Sequence, residues 1–316
     1  MQALREQFVW SEKYRPQTIA DCILPESIKT MFQEFITKGE VPHLLLSGGP
    51  GVGKTTVAKA LCDELGCDWI VINGSLDSGI DTLRTRIMNF ASSVSMMGEG
   101  HKTKVVIIDE ADYLNPTSTQ PALRGFMQDY ASNCRFIFTC NFKNKIIPPL
   151  HSRMVEIDFR LSKADKPAMA AQFMKRLMVI LKEEGITYDK KVVIQLLTKR
   201  FPDYRKVLDD LQRYSTSGAI DDGILLDFQD ISVGPLIEAL KEKDFKKMRT
   251  WVVNNSDQDS ATIFRKLYDT LVEDVKQVPQ LVLLLADYQY KAAFSVDPEI
   301  NMVACLLEIM AAVEFK

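Results

Sequence analysis

The sequence predicts an α/β fold in its first half, built on a parallel sheet, and helices alone in its second half. Four short and almost continuous apolar runs, at residues 44–46, 69–72, 105–108 and 136–139, alternate with helix-like stretches. Such runs are typical of strands that are buried on both faces of a parallel sheet, and the intervening helices provide the crossovers. After residue 158 the periodicity is helical, and no further buried-strand run follows.

A chain of 316 residues suits two or three domains. From the changes of pattern we expect domains over residues 1–158, 159–225 and 226–316, with a linker at 218–227. The second domain is predicted to contain helices at 164–184, 192–200 and 204–215. The third is predicted to contain helices at 236–241, 245–253, 261–272, 279–293 and 299–313. The last helix is apolar on much of its circumference, so we expect it to pack against several neighbours, in its own chain or in another.

Composition argues against several classes of protein. Hydrophobic residues make up 46% and charged residues 26%, and the formal net charge is −3. Because a general nucleic-acid binder is usually basic, any contact with DNA would need a local surface. The six cysteines form no CxxC pair and the three histidines lack metal-ligand spacing, which indicates a reduced, cytoplasmic protein without zinc. The N-terminus lacks the apolar core of a signal peptide, and no apolar run reaches the roughly 18 residues of a membrane span.

A phosphate-binding loop is predicted at residues 48–55, which match G-x-x-x-x-G-K-[ST] between a strand and a helix. Glycines let backbone N–H groups turn toward phosphate oxygens, and the helix N-terminus adds a favourable dipole. Lys54 is expected to contact the β- and γ-phosphates of ATP, and Thr55 to bind Mg²⁺. The predicted set is Gly51, Val52, Gly53, Lys54, Thr55 and Thr56.

Two acidic residues complete the predicted site. Asp109 and Glu110 follow the apolar run at 105–108, and ligand sites of α/β sheets lie at such strand ends. We expect Asp109 to hold Mg²⁺ through water, and Glu110 to polarise the attacking water. The alternative is a turn at the end of the strand with two solvated carboxylates, and the nearby phosphate loop argues against this alternative.

The phosphate loop combined with Asp109-Glu110-Ala111-Asp112 resembles the AAA+ ATPases, and later motifs resemble their sliding-clamp-loader branch. Residues 136–141, Phe-Ile-Phe-Thr-Cys-Asn, are similar to the sensor-1 strand. This resemblance implies that Asn141 hydrogen-bonds the γ-phosphate or the attacking water. An asparagine in an ordinary turn is the alternative.

Two arginines match further loader motifs. Residues 147–154, Ile-Pro-Pro-Leu-His-Ser-Arg-Met, resemble the motif that ends in Ser-Arg-Cys, although Met154 stands in place of the cysteine. The resemblance implies that Arg153 reaches the γ-phosphate of a neighbouring subunit. Arg205 matches the sensor-2 arginine, which leans from the lid onto the nucleotide of its own chain, and Asp203 is predicted to cap that helix. The alternative for Arg153 is an ordinary surface ion pair, and the alternative for Arg205 is a solvent-facing arginine on a helix.

The N-terminal segment at 10–16, Trp-Ser-Glu-Lys-Tyr-Arg-Pro, resembles the loader segment that contacts adenine. The resemblance implies a further set of cofactor contacts, with apolar contact from Leu24 as well. This set is Ser11, Glu12, Lys13, Tyr14 and Ile23. Ordinary apolar packing is the alternative, since burial needs no ligand.

The loader resemblance also implies ATPase modules that spiral around primer–template DNA. Helix N-termini with small hydroxyls can hold phosphates without reading bases, and nearby arginines add charge. The predicted DNA-binding residues are Arg84, Arg86, Thr117, Ser118, Thr119 and Arg124. Two alternatives remain open: the charges are merely solvated, and the hydroxyls merely cap their helix.

A sliding-clamp contact is implied in the region 74–99. Its candidate residues are Ile87, Met88, Phe90, Met96 and Met97. Methionine and phenylalanine at helical spacing more often pack into a core, so core packing is the stronger interpretation for each of them.

The resemblance covers most of residues 10–215. It implies an ATPase domain at 1–158, a helical lid at 159–225 and an oligomerising collar at 226–316, which matches the family only in length and helicity. Implied partners are identical subunits in a ring or spiral, a smaller loader subunit, a sliding clamp and primer–template DNA. The cellular bacterial loader carries a zinc module of clustered cysteines, which this sequence lacks. The compact length and the Ser-Glu-Lys-Tyr-Arg-Pro and Cys-Ile-Leu-Pro segments resemble the large subunit of tailed-phage loaders, and replication-factor small subunits are a close second.

The expected activity is therefore ATP hydrolysis that times the loading of a clamp, in the cytoplasm of a bacterial host. Two alternatives stay open. One is a branch-migration or helicase-type AAA+ motor that needs no clamp. The other is a scaffold that binds ATP and barely hydrolyses it, although the intact Asp109-Glu110 pair argues against this.

Overall fold

The computed structural model describes residues 8–76, 79–93, 103–216, 218–220, 233–256 and 258–316. The chain divides into two compact units, at residues 1–225 and 226–316. No helix in the described ranges is long and apolar enough to cross a membrane.

A five-stranded parallel sheet organises the first unit, in the spatial order β2-β3-β4-β1-β5. The strands are β1 (Leu44–Ser47), β2 (Asp68–Asn73), β3 (Lys104–Asp109), β4 (Cys134–Cys140) and β5 (Val155–Asp158). All four predicted runs are confirmed as strands. The fifth, β5, was not predicted because it is an edge strand in which Ile157 is buried while Val155 and Glu156 are exposed. Its sequence therefore lacks a continuous apolar run.

Both faces of the sheet are covered, which explains the composition of its strands. In β3, Val105 and Ile107 belong to the core on one face, and Val106 and Ile108 to the core on the other. All four side chains are fully buried. The helices of this part are α1 (Trp10–Lys13), α2 (Glu26–Lys38), α3 (Lys54–Glu64), α4 (Ile80–Ser92), α5 (Thr119–Asp129) and α6 (Pro148–His151).

The remainder of the first unit is mainly helical, as predicted. Its helices are α7 (Asp165–Glu183), α8 (Lys190–Arg200) and α9 (Tyr204–Ser215). A small parallel pair, β6 (Thr187–Tyr188) and β7 (Ala219–Ile220), was not predicted because two residues are too few to show a period. The predicted cap is confirmed: the Asp203 side chain accepts a hydrogen bond from the Lys206 amide at 2.9 Å. Residues 221–227 of the predicted linker lie outside the described residues.

The second unit has its own helical core. Its helices are α10 (Gly234–Glu242), α11 (Phe245–Asn254), α12 (Ser260–Asp274), α13 (Val278–Ala292) and α14 (Pro298–Ala312). The broad apolar surface of α14 packs within the unit, where Cys305, Leu306 and Ile309 are fully buried. The expectation that this helix contacts several neighbours is confirmed within its own chain, because residues of all four other helices join the same core.

Candidate functional site

A sharply turned loop joins β1 to α3 at the carboxyl edge of the sheet. Gly53 precedes α3 with φ 93°, and Gly51 has φ 69°, both in the left-handed region that favours glycine. A Cβ at Gly51 would lie 1.8 Å from Oδ1 of Asp203, so this position also lacks space for a side chain. The Tyr204 amide donates to the Gly51 carbonyl at 3.1 Å. The start of α9 therefore rests directly on the loop.

The Lys54 ammonium lies inside this loop and is only 8% exposed. Its Nζ donates to the carbonyls of Gly48 at 2.8 Å and Gly49 at 2.7 Å, and to Oδ1 of Asn141 at 2.9 Å. Burial is the main reason why the pKa of Lys54 lies below its ordinary value. The three contacts hold a cation between the loop and the end of β4, where it can bind phosphate oxygens.

Hydroxyl and carboxylate oxygens meet beside the lysine. Thr55 Oγ1 donates to Oδ1 of Asp109 at 2.7 Å, and Thr139 Oγ1 donates to the same oxygen. These are ligand types that Mg²⁺ prefers, and it usually completes its shell with water and phosphate oxygens. Within the described ranges, no group of three or more His, Cys, Asp or Glu side chains could hold a metal ion alone. The donor set therefore fits a magnesium–nucleotide complex better than a bare metal site.

Glu110 has an unusual backbone for a residue with a side chain. Its φ of 55° and ψ of 43° lie in the left-handed region, a conformation that costs about 1 kcal/mol or more and concentrates at functional sites. The Glu110 amide donates to Thr139 Oγ1 at 3.2 Å. Thr139 thus contacts both acidic residues and fixes their relative positions.

One cavity brings most of the predicted residues together, and apolar side chains from the lid line it as well. The predicted residues that line it are Ser11, Tyr14, Ile23, Leu24, Gly51, Val52, Gly53, Lys54, Thr55, Thr56, Asp109, Glu110, Asn141 and Arg205. Residues from six separate segments of the chain therefore converge on a single space that offers cations, backbone N–H groups and an apolar wall.

Five residues of α7 and α9 that line this cavity were not predicted as site residues from the sequence. They are Phe173, Arg176, Ile180, Tyr204 and Leu208. Arg176 Nη2 donates to the Tyr14 carbonyl at 3.1 Å, and the ring of Tyr204 packs edge-to-face on Phe173 with centroids 4.7 Å apart. Helical spacing was the only available signal, and it does not tell which face turns toward the nucleotide loop.

The N-terminal segment is attached to the lid helices. The Trp10 amide donates to Oε1 of Gln212 in α9 at 2.8 Å. The Tyr14 hydroxyl donates to Oε1 of Glu184, just beyond α7, at 2.7 Å. Ser11 and Tyr14 therefore form a wall of the cavity that is held by the lid.

Two predicted cofactor contacts, Glu12 and Lys13, are not among the residues that line the cavity, and they stay predictions. Glu12 forms an ion pair with Arg15, and Lys13 Nζ lies 2.7 Å from Oε1 of Glu184. The short helix α1 directs neighbouring side chains to different sides, so only part of the segment faces the cavity.

Arg153 lies just before β5, at the amino ends of the strands, whereas the cavity lies at their carboxyl ends. It lines a separate groove with His43 and Arg135, which stand at the amino ends of β1 and β4. Its Nη1 donates to the Pro149 carbonyl at 3.1 Å. Met154, the departure from the family motif, is buried in the core. Arg153 is therefore outside the nucleotide cavity of its own chain.

The predicted DNA-binding residues have mixed placements. Arg84, Arg86 and Arg124 are exposed on α4 and α5. Arg86 Nη2 donates to the Val71 carbonyl at 3.2 Å. Thr119 is only 2% exposed, unlike the three arginines, and its contact with DNA stays a prediction.

The side chains of Thr117 and Ser118, which precede α5, do not cap this helix. Asn115 Oδ1 accepts hydrogen bonds from the amide and hydroxyl of Thr117, at 2.8 Å and 2.7 Å, and from the Ser118 amide at 3.2 Å. Asn115 therefore organises the turn, and the sequence analysis did not single it out.

The candidate clamp contacts are also divided. Ile87 is fully buried and Phe90 packs against the same core, as the core interpretation expected. Met88 is 44% exposed on α4. Met96 and Met97 lie outside the described residues.

Comparisons with known proteins identify the families that match this chain. The model of the "ATPase family associated with various cellular activities (AAA)" matches residues 44–163. The model of the "Sliding-clamp-loader large subunit, AAA+ ATPase lid domain" matches residues 165–226. The fold is similar to that of Thermotoga maritima RuvB, a Holliday junction branch migration motor, with a TM-score of 0.55, 17% identity, and coverage of 94% of this chain and 91% of that one. At this identity the likeness shows the fold alone.

Curated relatives are more similar in sequence. The sliding-clamp-loader large subunit of Enterobacteria phage T4 is 44% identical over 249 residues, and that of Escherichia phage RB69 is 42% identical, each over 77% of both chains. The replication factor C small subunit of Methanocella arvoryzae is 31% identical over 99% of this chain and 92% of its own. The chain therefore belongs to the sliding-clamp-loader family of AAA+ ATPases, which are ATP hydrolases.

Proposed function

We propose that this protein is the large ATPase subunit of a phage clamp loader, acting in the cytoplasm of a bacterial host. ATP binding opens a sliding clamp and engages primer–template DNA, and hydrolysis releases the loaded clamp. The observation that carries the proposal is the convergence of Lys54, Asp109, Asn141 and the lid residue Arg205 on one cavity. Phosphate binding, hydrolysis and lid position are thereby linked in one place.

The residues of the cavity divide the chemistry. Lys54 and Arg205 neutralise phosphate charge, and the backbone of the loop orients the phosphates. Glu110 polarises the attacking water, while Asn141 holds that water or the γ-phosphate. Thr55 and Asp109 would hold Mg²⁺, which when bound neutralises charge that develops on the phosphates.

Arg153 acts in trans in this proposal. It stands at the amino edge of the sheet, whereas the cavity lies at the carboxyl edge, one strand length or roughly 10 Å away. An arginine that points away from its own site can complete the site of a neighbour. Identical subunits would then form a ring or spiral together with a smaller loader subunit, and residues 226–316 would serve as the collar.

DNA and clamp contacts extend the proposal over α4 and α5. The exposed arginines Arg84, Arg86 and Arg124 would contact phosphates and make binding dependent on salt. The turn at Thr117 and Ser118 would offer backbone and hydroxyl donors. The exposed side chain of Met88 would contribute to a clamp contact.

The test is steady-state ATPase of the full chain with its candidate partner subunit, as sliding clamp and primed DNA are added separately and together. Strong synergy between clamp and primed DNA is expected. Stimulation by DNA alone, indifferent to the clamp, would indicate a translocating motor. No turnover under any condition would favour an ATP-binding scaffold.

A further inference from the structure

His151 makes two hydrogen bonds just before the trans arginine. Its Nδ1 lies 2.6 Å from Oε1 of Glu156, and its Nε2 lies 3.0 Å from the carbonyl oxygen of Lys143. Both partners are acceptors, and a neutral imidazole donates from one nitrogen only. The imidazolium form of His151 therefore makes both bonds together.

The partners of His151 belong to different parts of the sheet. Lys143 begins the single turn at Lys143–Lys145 and follows Asn141 by two residues, whereas Glu156 lies in β5. Lys143 Nζ is also 3.7 Å from Oε2 of Glu156. The hydrogen bond from His151 is the largest cause that lowers the pKa of Glu156. A small closed network thus joins the segment after β4 to the edge strand.

This network lies between two functional positions. On one side, Asn141 accepts a hydrogen bond from the phosphate-loop lysine, Lys54, at 2.9 Å. On the other side, Arg153 follows His151 by two residues in the turn between α6 and β5. A shift of the segment that contains Asn141 would therefore also move the turn that carries Arg153.

We propose that His151 is a positioning residue that couples the nucleotide site of its own chain to the arginine that the chain presents to its neighbour. The inference rests on the proposed trans role of Arg153. It assigns His151 no contact with ATP. Its hydrogen bonds to Lys143 and Glu156 fix the position of the Arg153 turn relative to the end of β4. A change at the nucleotide site of one subunit would thereby change the position of the arginine that it presents to the next subunit.

The test is His151→Gln in the full chain, assembled with its partner subunit, sliding clamp and primed DNA. Turnover is expected to fall about tenfold or more, because small misplacements of a catalytic group are costly. ATP affinity of the isolated chain is expected to stay within about twofold, since the variant leaves the cavity unchanged. Glu156→Ala removes one partner without touching α6, and it should lower turnover in the same way. Glu40→Gln is the matched control, because it changes a carboxyl group of the Arg153 groove and leaves the network intact.

A double-mutant cycle with Arg153→Ala separates positioning from a general structural effect. If His151 acts through Arg153, His151→Gln adds no further loss on the Arg153→Ala background. Independent, multiplicative losses would overturn the coupling while leaving the trans role of Arg153 in place, and so would wild-type turnover in both His151→Gln and Glu156→Ala. If Arg153→Ala itself turns over at the wild-type rate, the proposed trans role fails and the coupling fails with it.

Discussion

The Lys54 ammonium donates a hydrogen bond to the Asn141 side chain at 2.9 Å, and this contact joins the phosphate-binding loop to the end of the central strand β4. The two residues are far apart in sequence, and each was identified from its own motif. In the proposed mechanism, a phosphate bound by Lys54 would therefore lie next to Asn141, which is proposed to hold the attacking water or the γ-phosphate.

Replacing Lys54 by alanine should remove nucleotide binding. The loss of charge-assisted hydrogen bonds to phosphate is expected to weaken ATP affinity by roughly a hundredfold or more. Titration with a fluorescent ATP analogue measures the effect, and Lys59→Ala on the same helix is the control. Normal ATP affinity in Lys54→Ala would refute the phosphate-loop assignment.

Arg153→Ala should separate binding from hydrolysis. ATP affinity of the isolated chain is expected to stay near that of the wild type, because Arg153 lies outside the cavity. ATPase of the assembled loader should fall by a factor on the order of 10³, since a neighbour loses its trans arginine. Lys38→Ala, in the same groove, should leave turnover unchanged. An Arg153→Ala assembly that hydrolyses ATP at the wild-type rate would remove the trans role.

Comparing alanine substitutions at Gly51 and Gly39 separates the effect of the contact between the phosphate-binding loop and the lid from the effect of backbone strain. Both have φ 69°, but a Cβ at Gly39 meets nothing within 4 Å, whereas at Gly51 it collides with Asp203. Gly39→Ala should cost only the backbone strain, about 1 kcal/mol in urea denaturation. Gly51→Ala should lose more stability and also weaken ATP binding, because the start of α9 must move. Equal effects of the two variants on ATP affinity would show that lid contact at the loop does not matter for binding.

His43 should make stability depend on pH. Its Nδ1 accepts a hydrogen bond from the Phe136 amide at 3.1 Å, and burial lowers the pKa of His43 to about 4. As the pH falls below about 6.5, the unfolded chain binds a proton at His43 that the folded chain does not bind. Stability is therefore lost between pH 6.5 and about 4.

The measurement for His43 is the urea midpoint at several pH values, compared with His43→Asn. Asparagine can accept a hydrogen bond but does not titrate in this range. The wild type should lose more of its midpoint on acidification than the variant does. Parallel pH profiles for the two proteins would mean that His43 is protonated in the folded state as readily as in the unfolded one.

The sheet and one side of the cavity were predictable because their signals are local. The strand β3 is apolar throughout, since its alternate residues face two different cores, and Asp109 follows at its end. The phosphate loop is a single contiguous motif. Geometry that is determined by neighbours in sequence can be inferred from sequence.

The lid side of the cavity was harder to predict because its contacts are long-range. Arg176 meets Tyr14 across a separation of 162 residues, and its helix alone does not indicate which face is turned inward. Lys13 was singled out by a family motif, and the motif alone did not indicate that its side chain forms an ion pair with Glu184. The burial of Thr119 could not be predicted, because a hydroxyl near a helix start can be either exposed or, as here, buried.

Trp10 and Tyr14 are attached to α9 and to the end of α7, so the N-terminal segment and the lid form one wall of the nucleotide cavity together. The sheet and its phosphate-binding loop form the opposite wall. The hydrogen bond from the Tyr204 amide to the Gly51 carbonyl connects the two walls. We expect release of the hydrolysed nucleotide to break this hydrogen bond, while the N-terminal segment stays attached to the lid.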